Sequence, residues 1–186
     1  MGVICLTGVL EHLPRLREDL EALTAAVGPD TRILVEVPAL ERFAHRSLEP
    51  YGEFSIEHIQ YFSVESLTRL FATLGFTVLS SLVVDLPPGY CDSLFALFAR
   101  KSANAETPSS TRTSNDIEDY IARSETMTQA AVARIAACPG TALVIYGAGS
   151  HTARLLPHLM EAGESRLVGL VDSNPNLQGK RLGQLL

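Results

Sequence analysis

The chain has 186 residues, 46% of them apolar and 19% charged, so it can build a core and wholesale disorder is excluded. That length suits one ordinary domain or two small ones. A net charge of -6 argues against non-specific binding to nucleic acid or to an anionic membrane surface. No apolar run approaches the roughly 20 residues that cross a bilayer. The start, Met1-Gly2-Val3-Ile4-Cys5-Leu6, lacks the basic region of a secretory signal. Cys5, Cys91 and Cys138 are isolated, which points to reduced thiols in a cytoplasmic protein rather than a disulfide framework or a zinc ribbon.

In chain order, Val3 to Thr7 reads as a short buried strand. Leu13, Leu16, Leu20, Leu23 and Val27 then recur at helical spacing, with Arg15, Arg17, Glu18, Asp19 and Glu21 on the other side, and Gly28-Pro29-Asp30 stops the helix. Arg32 to Val37 is the next strand, closed by Pro38. A long irregular segment follows from Ala39 to Phe62, and its aromatics Phe43, Tyr51, Phe54, Tyr61 and Phe62 argue for order and hence for function. Ser63 is placed to cap a helix with Glu65 in its first turn; Val64, Leu67, Leu70, Phe71 and Leu74 form its apolar face, and Gly75 ends it.

Phe76 to Val84 and Ser93 to Ala99 read as two strands joined by the turn-rich Asp85-Leu86-Pro87-Pro88-Gly89, a hairpin at a sheet edge. Lys101 to Asn115 is polar and aperiodic, a linker between a domain over 1–100 and another over 116–186. The second domain starts with a helix from about Asp116 to Ala137, broken by Pro139-Gly140. A strand (Ala142 to Tyr146), a helix from about Ser150 and a strand (Leu167 to Val171) complete one β-α-β unit, with Pro157 expected to kink or shorten its helix.

Two stretches point to chemistry. Glu57-His58, echoed by Glu11-His12 after the first strand, sets a carboxylate beside an imidazole, groups that accept and donate protons near neutral pH. The bland alternative is a surface dipeptide or a helix cap. Gly147-Ala148-Gly149 lies where a strand hands over to a helix, as in a phosphate-binding turn, and Asp172 ends the next strand, where a carboxylate can accept from ribose hydroxyls. Thr152 replaces the third glycine of the dinucleotide fingerprint, so the alternatives are a nucleotide-binding turn, a nicotinamide-dependent oxidoreductase, or a turn used for packing alone. His151 could approach a phosphate, whereas His45 and His158 have no supporting constellation and Lys180-Arg181 is too little for a nucleic-acid patch. No metal-ligand spacing appears: His12, Glu57 and His58 would have to meet in space, and no metal is expected.

The order strand, Gly8-Val9-Leu10-Glu11-His12-Leu13, helix, strand ending Glu36-Val37-Pro38, long loop, Glu57-His58-Ile59-Gln60-Tyr61-Phe62-Ser63, helix, hairpin resembles the C-terminal half of a class I S-adenosylmethionine-dependent methyltransferase. More narrowly it is similar to the sugar C-methyltransferase group. Gly147-Ala148-Gly149, Val171-Asp172-Ser173-Asn174-Pro175 and Gln178-Gly179-Lys180 resemble the Rossmann-like domain that group carries at its C-terminus. The resemblance implies an α/β fold: a partial class I methyltransferase sheet with an antiparallel edge hairpin, plus a second, partial Rossmann-like β-α-β unit.

It also implies methyl transfer from S-adenosylmethionine to a carbon of a nucleotide-linked sugar or similar small molecule, His58 being the base and Glu57 orienting it or binding substrate. Glu11 and His12 would lie near the cofactor and substrate. The group often has a tyrosine three residues before the histidine, where this chain has Ser55. The family's glycine-rich cofactor loop and the acidic residue after its second strand would both precede Val3. The expectation is therefore a fragment or truncated relative that binds S-adenosylmethionine weakly or not at all by itself and whose missing strands come from an N-terminal half or a partner chain. The alternative from another class is a non-catalytic module that binds a nucleotide or nucleotide-sugar.

Overall fold

The computed structural model describes residues 2–46, 49–55, 57–87, 91–101 and 115–181. Ile56, the Pro88-Gly89 end of the hairpin turn and all but the ends of the 101–115 linker lie outside the described residues. Two compact units result, one of residues 1–48 with 53–120 and one of residues 49–52 with 121–186.

The first unit is built on a four-stranded sheet: β1 (Val3–Thr7), β2 (Arg32–Pro38), β3 (Phe76–Val84) and β4 (Ser93–Arg100), in the order β1-β2-β4-β3. β1 and β2 are parallel, joined by α1 (Leu16–Ala26), while β4 runs antiparallel to both β2 and β3. A parallel pair needs a helical crossover, and the β3–β4 pair is a hairpin, so the chain order dictates this mixed sheet. The fold class is α/β with a partial Rossmann-like sheet.

The core follows from strand alternation. Ile33, Val35 and Val37 of β2 are fully buried and meet Phe98, Leu94, Leu20 and Phe76. α3 (Val64–Thr73) presents Leu67 and Phe71 to the same core, and the Phe71 ring stacks on Phe98 at 4.1 Å. Ser63 caps α3 as the sequence implies, but reciprocally: its side chain accepts from the Ser66 N–H at 3.1 Å, and its own N–H donates to the Ser66 hydroxyl at 2.9 Å. Gly75, at φ +80°, ends α3 in a conformation that other residues adopt with strain.

The structure departs from the sequence reading in three places here. β1 is not buried: Val3, Cys5 and Thr7 are exposed and Ile4 and Leu6 half-buried, because β1 pairs on one side only among the described residues. The segment after β2 is not wholly irregular, since α2 (Leu40–Arg46) opens it. Phe43, Phe54 and Tyr61 of this segment cluster edge-to-face with Tyr120, at 5.1 to 6.1 Å between ring centroids. Tyr51 instead lies in the second unit, its N–H donating to the Ser124 hydroxyl at 3.0 Å.

The second unit takes α4 (Asp116–Ala136) from Ile121 onward, and a two-stranded parallel sheet of β5 (Leu143–Tyr146) and β6 (Leu167–Val171) joined by α5 (Ser150–Glu161). α5 runs through Pro157 to Glu161 and is not shortened. The hydrogen bond Pro157 cannot make would have reached the carbonyl of Ala153, an exposed residue where solvent can take its place. Arg166 fastens the end of α4, its guanidinium donating to the carbonyls of Cys138 at 2.6 Å, Ile135 at 3.1 Å and Ala136 at 3.2 Å. No described helix is long and apolar enough to cross a membrane.

Candidate functional site

β1 ends at Gly8, whose φ of +62° turns the chain sharply while its N–H stays on the Glu36 carbonyl at 3.1 Å. A 3-10 turn over Leu10–His12 follows. Leu10 is fully buried and anchors this turn, which drags the adjacent Glu11 inward until only 3% of it is exposed. The turn sits at the carboxyl end of β1, next to the parallel β2, which is where open α/β sheets bind ligands.

The loop carrying Glu57-His58 is tied to the same turn by main-chain bonds. The Glu11 carbonyl accepts from the N–H groups of Ile59 at 2.9 Å and Gln60 at 3.1 Å. His12 Nδ1 lies 2.9 Å from the Glu57 carbonyl, which can only accept, so Nδ1 donates to it. The His12 and His58 rings meet edge-to-face at 4.9 Å. Glu11, His12 and His58 thus converge, with one potential ligand atom from each and all three atoms within 4.8 Å of one another. Sequence spacing could not show this, because a strand, a helix and a long loop separate Glu11-His12 from His58.

Glu57 is placed differently from its neighbour. Its side chain is exposed, and the group it brings to the cluster is its main-chain carbonyl, which orients His12. Ser55 has a distinct task. Its hydroxyl accepts from the N–H groups of Glu57 at 3.1 Å and His58 at 3.0 Å, a local turn that presents the imidazole. Tyr61, beside this turn, has its phenol raised above the ordinary value by burial, partly offset by a hydrogen bond from the Ser55 backbone. Burial first, then the nearby Glu53 carboxylate, push the Cys91 thiol far up, which disfavours its thiolate.

The glycine turn of the second unit is filled from within. Gly147 is at φ +100°, but the Ala148 N–H donates to Asp172 Oδ2 at 2.7 Å, and Asn174 N–H to Oδ1 at 2.7 Å. The Ala148 N–H first and the Asn174 N–H second hold the Asp172 carboxyl below its usual range. A carboxylate thus occupies one of the donors a phosphate would use. Gly149 is extended rather than left-handed, and a Cβ at either glycine would meet nothing within 4 Å. His151 faces Glu49 at 3.3 Å, and the same carboxylate holds Arg154 at 2.6 Å. Gly147, Gly149 and Asp172 therefore come together, but as a self-satisfied turn.

Residues 1–81, which contain Glu11, His12, Glu57 and His58, match the family model described as "Methyltransferase domain". No curated protein matches the chain. Among solved structures, the chain is similar to the Burkholderia thailandensis 1,6-didemethyltoxoflavin-N1-methyltransferase with bound 1,6-didemethyltoxoflavin and S-adenosylhomocysteine. The identity there is 16%, over 54% of this chain and 44% of that one, with a TM-score of 0.42. A type 11 methyltransferase from Sulfolobus solfataricus is 10% identical over 57% of this chain and 53% of its own, with a TM-score of 0.39. The chain thus spans about half the length of these structures.

Proposed function

We propose that this protein takes part in methyl transfer from S-adenosylmethionine to a small molecule, with carbon of a nucleotide-linked sugar as the acceptor. The supporting observation is the convergence of a buried carboxylate and two imidazoles at the carboxyl end of β1, inside the stretch that matches the methyltransferase family. In this reading residues 1–100 act on the acceptor, and residues 116–186, beyond the 101–115 linker, are accessory. Carbon needs activation before it can attack a sulfonium methyl group. His58 removes a proton next to a carbonyl, and the resulting enolate carbon takes the methyl group while the carbon–sulfur bond breaks to give S-adenosylhomocysteine. The module that merely binds a nucleotide is the weaker reading, since Asp172 already occupies the glycine turn.

The test is transfer of a labelled methyl group from S-adenosylmethionine to nucleotide-linked keto sugars, using the natural polypeptide that contains these residues. His58→Ala is expected to lower kcat about 100- to 10,000-fold, leaving the affinity for S-adenosylmethionine unchanged. Failure to label any keto sugar would overturn the acceptor class. Undiminished turnover by His58→Ala would remove His58 from the chemistry.

A further inference from the structure

We infer that Glu11, His12 and His58 form a binding site for one divalent first-row transition cation. Glu11 supplies the strongest argument. It is 3% exposed, and its Oε2 has no hydrogen-bond partner among the described residues. Burying a carboxylate oxygen without a partner is costly, and a bound cation is one of the few things that offsets it.

The second argument is geometric. While His12 Nδ1 lies 2.9 Å from the Glu57 carbonyl, its Nε2 is turned toward Glu11 Oε1, at 4.0 Å. That is too long for a hydrogen bond. The His58 ring lies beside them, and one ligand atom from each of the three residues falls within 4.8 Å of the others, so a positive ion placed between them would be held by all three. The Glu57 carbonyl is itself the kind of outer partner that metal-bound histidines use to fix their tautomer. Ligand bonds of about 2.0–2.2 Å would set donor atoms about 3–3.5 Å apart. The observed spread of up to 4.8 Å has to close to this on binding.

The donor set indicates the kind of ion. Two imidazoles and one carboxylate suit zinc, iron, cobalt or manganese, whereas magnesium and calcium prefer oxygen throughout. Three protein ligands leave coordination positions open, and the exposed His12 and half-buried His58 leave a way in. What the ion does depends on the methyl-transfer reading above: an open position takes the acceptor's carbonyl oxygen and stabilises the enolate. With the lone pair of His58 on the ion, a hydroxide on the ion takes over the base role given to His58 above, receiving the carbon's proton and becoming water. The loss expected of His58→Ala then becomes loss of the ion.

The site itself is tested without cofactor or acceptor, by titrating the metal-free protein with cobalt(II) alone and reading its visible absorption bands. One equivalent is expected to bind. Glu11→Gln, His12→Gln and His58→Gln should each weaken binding at least 10-fold with unchanged far-ultraviolet circular dichroism. His158→Gln, in the second unit, should leave it alone. Absence of absorption bands at millimolar cobalt(II), or undiminished binding by both Glu11→Gln and His58→Gln, would overturn the site. Methyl transfer that persists in the presence of a chelator would leave the site standing but overturn its catalytic use.

Discussion

Ser55→Ala isolates the contribution of one hydroxyl to the presentation of His58. That hydroxyl accepts two main-chain hydrogen bonds, from Glu57 and His58. A hydrogen bond of this kind contributes about 0.5–1.5 kcal/mol net, and both N–H groups lie on an exposed stretch where water can replace the serine. The lower half of that range, taken twice, gives about 1–2 kcal/mol of local order, or about 5- to 30-fold in the population of the closed turn. Amide hydrogen exchange of Glu57 and His58, followed by NMR, should therefore quicken about 5- to 30-fold. Global stability should barely move, within about 3 °C in Tm, because the site is outside the core. Ser55→Thr keeps the acceptor and should exchange like the parent. Unchanged exchange in Ser55→Ala would refute the turn, and a Tm loss well beyond that range would show that Ser55 supports the fold rather than the loop.

Two further predictions concern stability. Ser63→Ala removes the acceptor for the Ser66 N–H, while the Glu41 carboxylate still holds the Val64 N–H at 2.6 Å, so the loss is that of one cap, about 1 kcal/mol by urea denaturation. In the second unit, the Arg166 guanidinium beside Glu164 holds its carboxyl down at about 2, against an ordinary 4.5. A carboxyl depressed by folding adds stability that is complete above its unfolded value and lost as pH falls toward the folded one. Thermal unfolding of the second unit should therefore weaken between about pH 4.5 and pH 2, and Glu164→Gln should flatten that part of the profile.

Much of the scaffold is legible in the sequence because each of those elements carries its own signal. The period-2 run Arg32 to Val37, the helical repeat of α1, the Ser63 cap and the Gly75 stop all survive as strand, helix, cap and stop. α2 is not legible, because seven residues with only Leu40 and Phe43 as large apolar anchors are too few for a helical period to declare itself. The exposure of β1 is hidden for another reason: Val3, Ile4, Cys5 and Leu6 are apolar on both faces, so composition reads as buried while alternate side chains face out. Ser55 did carry a signal, a hydroxyl two and three residues before the amides it accepts. At Gly147 to Gly149 the residues are legible but their bonding is not: the Asp172 carboxylate, just after β6, accepts from the Ala148 N–H.

The candidate site illustrates why a motif reading falls short of a site. Glu11-His12 and Glu57-His58 look like two copies of one acid-base pair, yet the fold uses their parts unequally. From the first pair it takes both side chains, because the buried Leu10 fixes the turn and forces Glu11 inward. From the second it takes the imidazole of His58 and only the main-chain carbonyl of Glu57. Three joints between the two segments use main-chain carbonyls: the Glu11 carbonyl receives the N–H groups of Ile59 and Gln60, and the Glu57 carbonyl receives the His12 ring nitrogen. The two joints at Glu11 do not depend on which side chains flank them, so no residue pattern announces them. They also make the cluster a consequence of where β1 ends and how the loop returns. The chemistry of Glu11, His12 and His58 therefore rests on two backbone hydrogen bonds, and on one from the His12 ring to a backbone carbonyl, as much as on the identities of the residues.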